Sequence, residues 1–188
     1  PRHFATGVFY NPWGWEPVQD SWTYPGQEGQ PTRVDVYSPD DEVELLVNGR
    51  SLGRKPAGAV AQNKASFEVV YEPGYLEAVG FSSGQETGRT RVETAGAPVS
   101  LRLESDRIHL GPGYGDLAYV TVTLEDVDGR RVPWAESAIA LDVSGAGDLV
   151  ALGTANPLSE ESYASHQRCA YQGRLMAVVR TSGVAGAI

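Results

Sequence analysis

Cysteine is nearly absent. Cys169 is the single one among 188 residues, so no internal disulfide can form and a thiolate zinc cluster is excluded. No motif surrounds it, and a lone cysteine is ordinarily a small, inert apolar residue. Histidine is scarce too: His3, His109 and His166 stand far apart without ligand spacing. Positive charge is in deficit, with 15 Lys and Arg against 24 Asp and Glu. A chain that must neutralise phosphates needs the opposite balance, so neither nucleic acid nor an anionic membrane is an expected partner. No apolar run is long enough to span a bilayer. No basic-then-apolar stretch opens the chain, so no targeting segment is read, and the compartment stays open between cytoplasm and secretion. GxSxG, P-loop, GxGxxG and HExxH patterns are all missing. No amphipathic helix is legible, and no cofactor is implied.

What is present is β-structure. Val43, Leu45 and Val47 alternate with Glu44, Leu46 and Asn48, which buries one face of a strand. Asn48-Gly49 then supplies the two positive-φ residues of a type I′ hairpin, and Arg50 to Arg54 returns. Leu46 interrupts the polar side, so the outer face is expected to be covered as well. Further strands are expected over 32–37, 65–71, 76–81 and 88–93, with Glu72-Pro73-Gly74-Tyr75 as a type II turn. Thr94-Ala95-Gly96-Ala97-Pro98 is short, small and Pro-containing, and marks a boundary. A second series follows at 99–104, 107–110, 117–127, 130–134, 139–143, 149–152 and 174–181, with a hairpin at Asp128-Gly129. Ser182 to Ile188 reads as a turn and the start of another strand, which suggests truncation there. The expectation is all-β: two tandem immunoglobulin-like sandwiches, residues 1–94 and 99–188, joined by a linker at 95–98, with no catalytic barrel.

Residues 3–30 differ in character. Trp13, Trp15, Trp22 and Tyr24 lie among Pro and Gly. Flat aromatic faces suit the C–H patches of sugars, so these four are a candidate carbohydrate platform. The competing reading is packing against a neighbouring domain, because large aromatics dominate interfaces. Elsewhere the chemistry is thin. His109 sits in an apolar stretch as an outward-facing residue. Asp126-Val127-Asp128-Gly129 starts like a calcium loop but lacks the bidentate Glu. The acidic groups Asp40-Asp41, Glu42, Glu44 and Glu160-Glu161 read as solvated turns, with no catalytic role.

Longer motifs carry a resemblance. Ser21-Trp22-Thr23-Tyr24-Pro25-Gly26-Gln27-Glu28-Gly29, then Val34-Asp35-Val36-Tyr37-Ser38, then Glu42-Val43-Glu44-Leu45-Leu46-Val47-Asn48-Gly49-Arg50-Ser51-Leu52-Gly53 resemble the post-barrel region of bacterial family 2 glycoside hydrolases of the β-galactosidase type. Tyr71-Glu72-Pro73-Gly74-Tyr75-Leu76-Glu77-Ala78 fits the same pattern. Ser105-Asp106-Arg107, Leu117-Ala118-Tyr119-Val120, Asp126-Val127-Asp128-Gly129-Arg130 and Val132-Pro133 are similar to the immunoglobulin-like domain that often follows.

The resemblance implies that the two catalytic glutamates sit upstream in a (β/α)8 barrel of about 250 residues. No catalytic residue transfers to this chain, and the fragment itself is expected to be inactive. Its expected partner is that upstream barrel in the same polypeptide, which it supports at the rim or through oligomerisation. Two alternatives stand beside this: a carbohydrate-binding module using the Trp/Tyr segment, and a structural or cell-surface immunoglobulin-like tandem.

Overall fold

The computed structural model describes residues 19–188 except 112 and 114. Among them the only helical element is a 3-10 turn at Ala59–Ala61; everything else regular is β-strand. The chain divides after Thr94 into two compact units, Pro1–Thr94 and Ala95–Ile188. Each is an antiparallel immunoglobulin-like sandwich, and the described residues contain no barrel.

In the first unit, β1 (Pro31–Tyr37) pairs with β4 (Lys64–Val70), and these two strands face a sheet of order β3-β2-β5-β6. That sheet is built from β2 (Glu42–Val47), β3 (Arg50–Pro56), β5 (Tyr75–Ser82) and β6 (Gln85–Glu93). Asn48 has φ 49° and Gly49 φ 80°, the left-handed pair that a two-residue hairpin needs. Val43, Leu45 and Val47 are buried as their alternation requires, with Leu76 beside them on β5 and Val34, Phe67 and Val69 opposite.

The outer face of the same sheet is covered by its own charged side chains. Glu44, Leu46, Glu77, Val79, Phe81, Arg89 and Arg91 share it by register. The Arg54 guanidinium lies 3.4 Å from the centre of the Phe81 ring and Arg91 lies 3.9 Å from that of Tyr75. Glu77 pairs with both Arg89 and Arg91. Long cationic stems cover apolar surface while the charge stays wet. This is how Leu46 and Phe81 are tolerated on an outer face.

In the second unit, a sheet of order β10-β12-β8-β7 faces the pair β11-β9. The strands are β7 (Ser100–Ser105), β8 (Leu117–Glu125), β9 (Ala138–Ala140), β10 (Gly147–Gly153), β11 (Gln167–Cys169) and β12 (Arg174–Thr181). Val122, Leu124, Val132, Ile139, Leu152, Leu175 and Ala177 form its core.

Two expected strands are not there. Arg107 to Leu110 leaves the sheet: Ser105 Oγ bonds the Arg107 carbonyl, the Asp106 carboxylate takes the Tyr119 N–H, and Ile108 is exposed. The segment alternates, but among the described residues it meets no partner strand. Arg130 to Trp134 makes one bridge, Glu125 to Arg131. Val132 still donates to the Leu124 carbonyl, but Pro133 has no N–H to offer and the backbone turns at Ala135. Ser182 to Ile188 likewise forms no strand. At the boundary, Ala95 is buried in the second unit and the Gly96 N–H donates to Asp126. The start of the expected linker is thus tied down, because small residues can pack closely.

Candidate functional site

Trp22 is fully buried and Tyr24 nearly so. Both lie in the first unit's own core, where they meet Tyr71 edge-on at centroid distances of 4.9 and 5.5 Å. The polar ends of these rings are also satisfied internally. Trp22 Nε1 donates to the Glu72 carbonyl at 2.9 Å, the Tyr71 hydroxyl accepts the Tyr24 N–H, and the Tyr24 hydroxyl donates to the Ser21 carbonyl. Burial, reinforced by Tyr71 and Asp20, pushes the Tyr24 phenol above its usual range, so it remains a neutral donor.

Thr94 closes the arrangement: its hydroxyl donates to the Trp22 carbonyl at 2.6 Å and accepts the Gly74 N–H. A sugar platform needs an open ring face, and a domain interface needs an outward one. Trp22 and Tyr24 are 0% and 7% exposed, and their rings meet Tyr71 and each other edge-on. Trp13 and Trp15 lie outside the described residues.

Carboxylates are the other candidates, and Asp40, Asp41, Glu44 and Glu161 among those singled out in the sequence are engaged in holding structure. Asp40 accepts from the hydroxyls of Ser38, Thr87 and Ser82, and the Ser38 bond first among these holds its carboxyl below the usual range. It fits because Gly80 lacks a side chain: a Cβ there would lie 2.1 Å from Asp40 Oδ2. Asp41 takes the Ser83 N–H, Glu44 bonds Ser51 and pairs with Arg54, and Glu161 takes the Cys169 N–H.

Asp126, the first acid of the calcium-like stretch, is buried. Burial alone would raise its carboxyl; N–H donors from Gly96, Arg130 and Asp128 outweigh that and lower it. The Asp128 and Arg130 donors fix the turn and the Gly96 donor ties the boundary segment to it, and among the described residues no group of three His, Cys, Asp or Glu side chains is placed to hold a metal.

Asp35 was not singled out by sequence pattern. Its side chain is almost fully buried between Arg33 at 2.8 Å and Lys64 at 3.2 Å, and it accepts from Ser66. Desolvation opposes ionisation, but Ser66, Lys64 and Arg33 prevail and bring its carboxyl to about 2. It borders a hollow of 360 Å³ lined largely by Val34, Val36, Leu45, Leu76 and Ala78. A glycosidase needs two carboxylates, one able to give up a proton near neutral pH. A strongly acidic, doubly paired Asp35 on an apolar wall suits neither role.

Both units are similar to parts of known proteins. Residues 101–188 match the family described as glycoside hydrolase family 2 C-terminal domain 5, and residues 29–88 match a domain of unknown function, DUF4982. A protein named beta-galactosidase from Bacteroides ovatus is 32% identical over 176 residues, which are 93% of this chain and 19% of that protein. A solved glycosyl hydrolase family 2 member from Bacteroides cellulosilyticus superposes with a TM-score of 0.90 at 34% identity, covering 99% of this chain and 24% of that one. A beta-glucuronidase of the same family superposes at 0.75 with 26% identity, over 88% of this chain and 17% of that one. The chain thus spans about a fifth of the length of the relatives it matches. A pair of β-sandwiches that matches these relatives along nearly its whole length, the chain belongs to glycoside hydrolase family 2 as a C-terminal portion.

Proposed function

We propose that this chain is the supporting C-terminal part of a β-galactosidase-type enzyme that hydrolyses terminal β-galactosides or closely related glycosides at a barrel elsewhere in the same polypeptide. The observation that carries the reading is the coverage: 99% of this chain corresponds to only 24% of a solved family member. Chemistry is left to the remainder. The sandwiches contribute stability, a wall beside the barrel or a surface for oligomerisation. The relative from Bacteroides ovatus favours galactosides as the substrate class, with glucuronides as the comparison. The test assays three proteins on chromogenic β-galactoside and β-glucuronide: the full-length protein, the full-length protein lacking residues 19–188, and residues 1–188 alone. Turnover of the galactoside by the first, impaired turnover or stability in the second, and none in the third are expected. Turnover by residues 1–188, or a full-length protein without glycosidase activity, overturns the reading.

A further inference from the structure

The sequence holds four asparagines, Asn11, Asn48, Asn63 and Asn156. Asn11 and Asn156 precede proline, whose nitrogen carries no hydrogen, and Asn63 precedes the long side chain of Lys64. Asn48 alone precedes glycine. That pairing is chemically weak. With no Cβ to crowd it, the Gly49 backbone nitrogen can attack the side-chain carbonyl carbon of Asn48. A C–N bond forms, the carboxamide nitrogen leaves as ammonia with the proton from Gly49, and a cyclic imide joins the two residues. Water then opens the imide at either carbonyl and leaves aspartate or isoaspartate at position 48. One water is consumed and one ammonia released, with no redox step.

Asn48 is exposed, so water reaches it, yet the fold holds both ends of its carboxamide. Oδ1 accepts the Tyr75 N–H and Nδ2 donates to the Pro73 carbonyl. The Asn48 N–H donates in turn to the Tyr75 carbonyl. These bonds fix the amide plane against the turn at residues 73–75 and tether the nitrogen that must leave. The Tyr75 hydroxyl lies 3.2 Å from the point where a Cβ on Gly49 would stand, so the attacking residue is shielded on that side. Arg91 stacks on the Tyr75 ring. Thr94 holds the turn in place: its hydroxyl accepts the Gly74 N–H and its own N–H donates to the Gly74 carbonyl.

We propose that Asn48-Gly49 is a deamidation site kept latent by this clasp, and that opening of the 73–75 turn sets the rate at which it reacts. The change is one-way for the first unit. Aspartate at position 48 has no amide donor for the Pro73 carbonyl and sets a carboxylate oxygen against it. Isoaspartate also routes the main chain through an additional carbon, in a hairpin whose register the β2-β3 and β2-β5 pairings share. Each product loses the contact that had protected its precursor.

The test does not depend on glycosidase activity. The full-length protein is aged in mildly alkaline buffer with and without denaturing urea, and peptide mapping by mass spectrometry reads the amide-to-acid conversion at position 48. Conversion should be about 100-fold slower or more in the folded protein, where it waits on local opening. Hydrogen exchange of the unmodified protein supplies a yardstick that needs no substitution. The slowing at Asn48 should match the exchange protection of the Tyr75 N–H, which Oδ1 holds. It should fall short of the protection of core amides such as that of Leu45, which report opening of the whole unit. Thr94→Val, which takes the hydroxyl from the Gly74 N–H, should speed conversion by about tenfold while circular dichroism stays native. Equal conversion in the folded and the urea-unfolded protein overturns the proposal. So does slowing equal to or greater than the protection of the core amides, or a folded Thr94→Val protein converting at the wild-type rate: global unfolding, and not the clasp, would then guard the site.

Discussion

The side chain of Asn48 clasps the backbone at Gly74. Its Oδ1 accepts the Tyr75 N–H at 2.8 Å and its Nδ2 donates to the Pro73 carbonyl at 3.1 Å. The hairpin that reverses β2 into β3 thus also holds the turn that enters β5. Gly74 has φ +131°, and a Cβ on it would lie 1.9 Å from Asn48 Oδ1. Glycine is needed there twice over, for the backbone angle and for the approach.

Gly74→Ala should therefore destabilise the first unit by about 2–4 kcal/mol, combining positive-φ strain with displacement of the Asn48 clasp. Asn48→Gly keeps the hairpin angle but gives up both side-chain bonds, at a cost of roughly 1–2 kcal/mol. Because the two share one contact, the double variant should be less destabilised than the sum of the singles. Equilibrium urea unfolding of the four proteins measures this coupling. Strict additivity would mean that the clasp contributes nothing.

Trp22 is expected to matter for folding. Trp22→Ala removes the largest fully buried side chain of the first unit and should cost about 3–5 kcal/mol. Trp22→Phe retains the edge contacts with Tyr71 but leaves the Glu72 carbonyl without the indole donor, and should cost less, about 1–3 kcal/mol. Loss of cooperative unfolding in the alanine variant, with partial retention in the phenylalanine one, is the expected pattern by circular dichroism. A Trp22→Ala protein of unchanged melting temperature would contradict the burial.

The hairpin at Asn48-Gly49 was legible because positive φ is a local demand that Asn and Gly advertise. Ser83-Gly84, with φ 52° and 77°, turns β5 into β6 by the same means and carried a readable Ser-Gly signal. Burial of Trp22 was not legible. It depends on Tyr71 and Glu72, some fifty positions away, and a cluster of aromatics beside prolines looks the same in sequence whether it faces inward or outward. β11 escaped notice because its middle residue, Arg168, points into the structure and inverts the expected alternation. Ile108-His109-Leu110 has the pattern of a strand, but pairing needs a neighbour that local sequence cannot supply.

Asp35 should make the first unit sensitive to acid. Its folded-state carboxyl lies at about 2 against an ordinary 3.8, so the ionised form is favoured by folding. The resulting stability is fully present above the unfolded value and is lost as pH falls from about 4 through 2. A shift of this size corresponds to about 2 kcal/mol. Asp126 and Asp116, also held low by backbone N–H donors, add to the same trend in the second unit. Asp35→Asn should be less stable at pH 7 and show a flatter decline between pH 4 and 2. Parallel curves for the two proteins in that window would rule out Asp35 as a source of the acid sensitivity.

Arg168 should govern the long loop between β10 and β11. It is 1% exposed, and its guanidinium donates to the carbonyls of Leu152 and Glu161 and to the Ser159 hydroxyl. Its plane also lies 4.5 Å from the centre of the Tyr163 ring. One side chain thus ties the end of β10 to three points of the loop, while Leu158 stands fully in solvent at the tip. A lysine has neither the fork to reach three acceptors nor a plane to stack. Arg168→Lys should therefore fail to substitute, and Arg168→Ala should cost about 2–4 kcal/mol by leaving buried carbonyls without donors. Both variants should speed chymotryptic cleavage after Leu158 or Tyr163 by roughly tenfold or more, since cleavage follows the open population of the loop. Under the same conditions, sites on β8 and β12 should remain resistant until the unit unfolds as a whole. Cleavage at wild-type rates in Arg168→Lys would show that charge alone, without the planar fork, is enough to hold the loop.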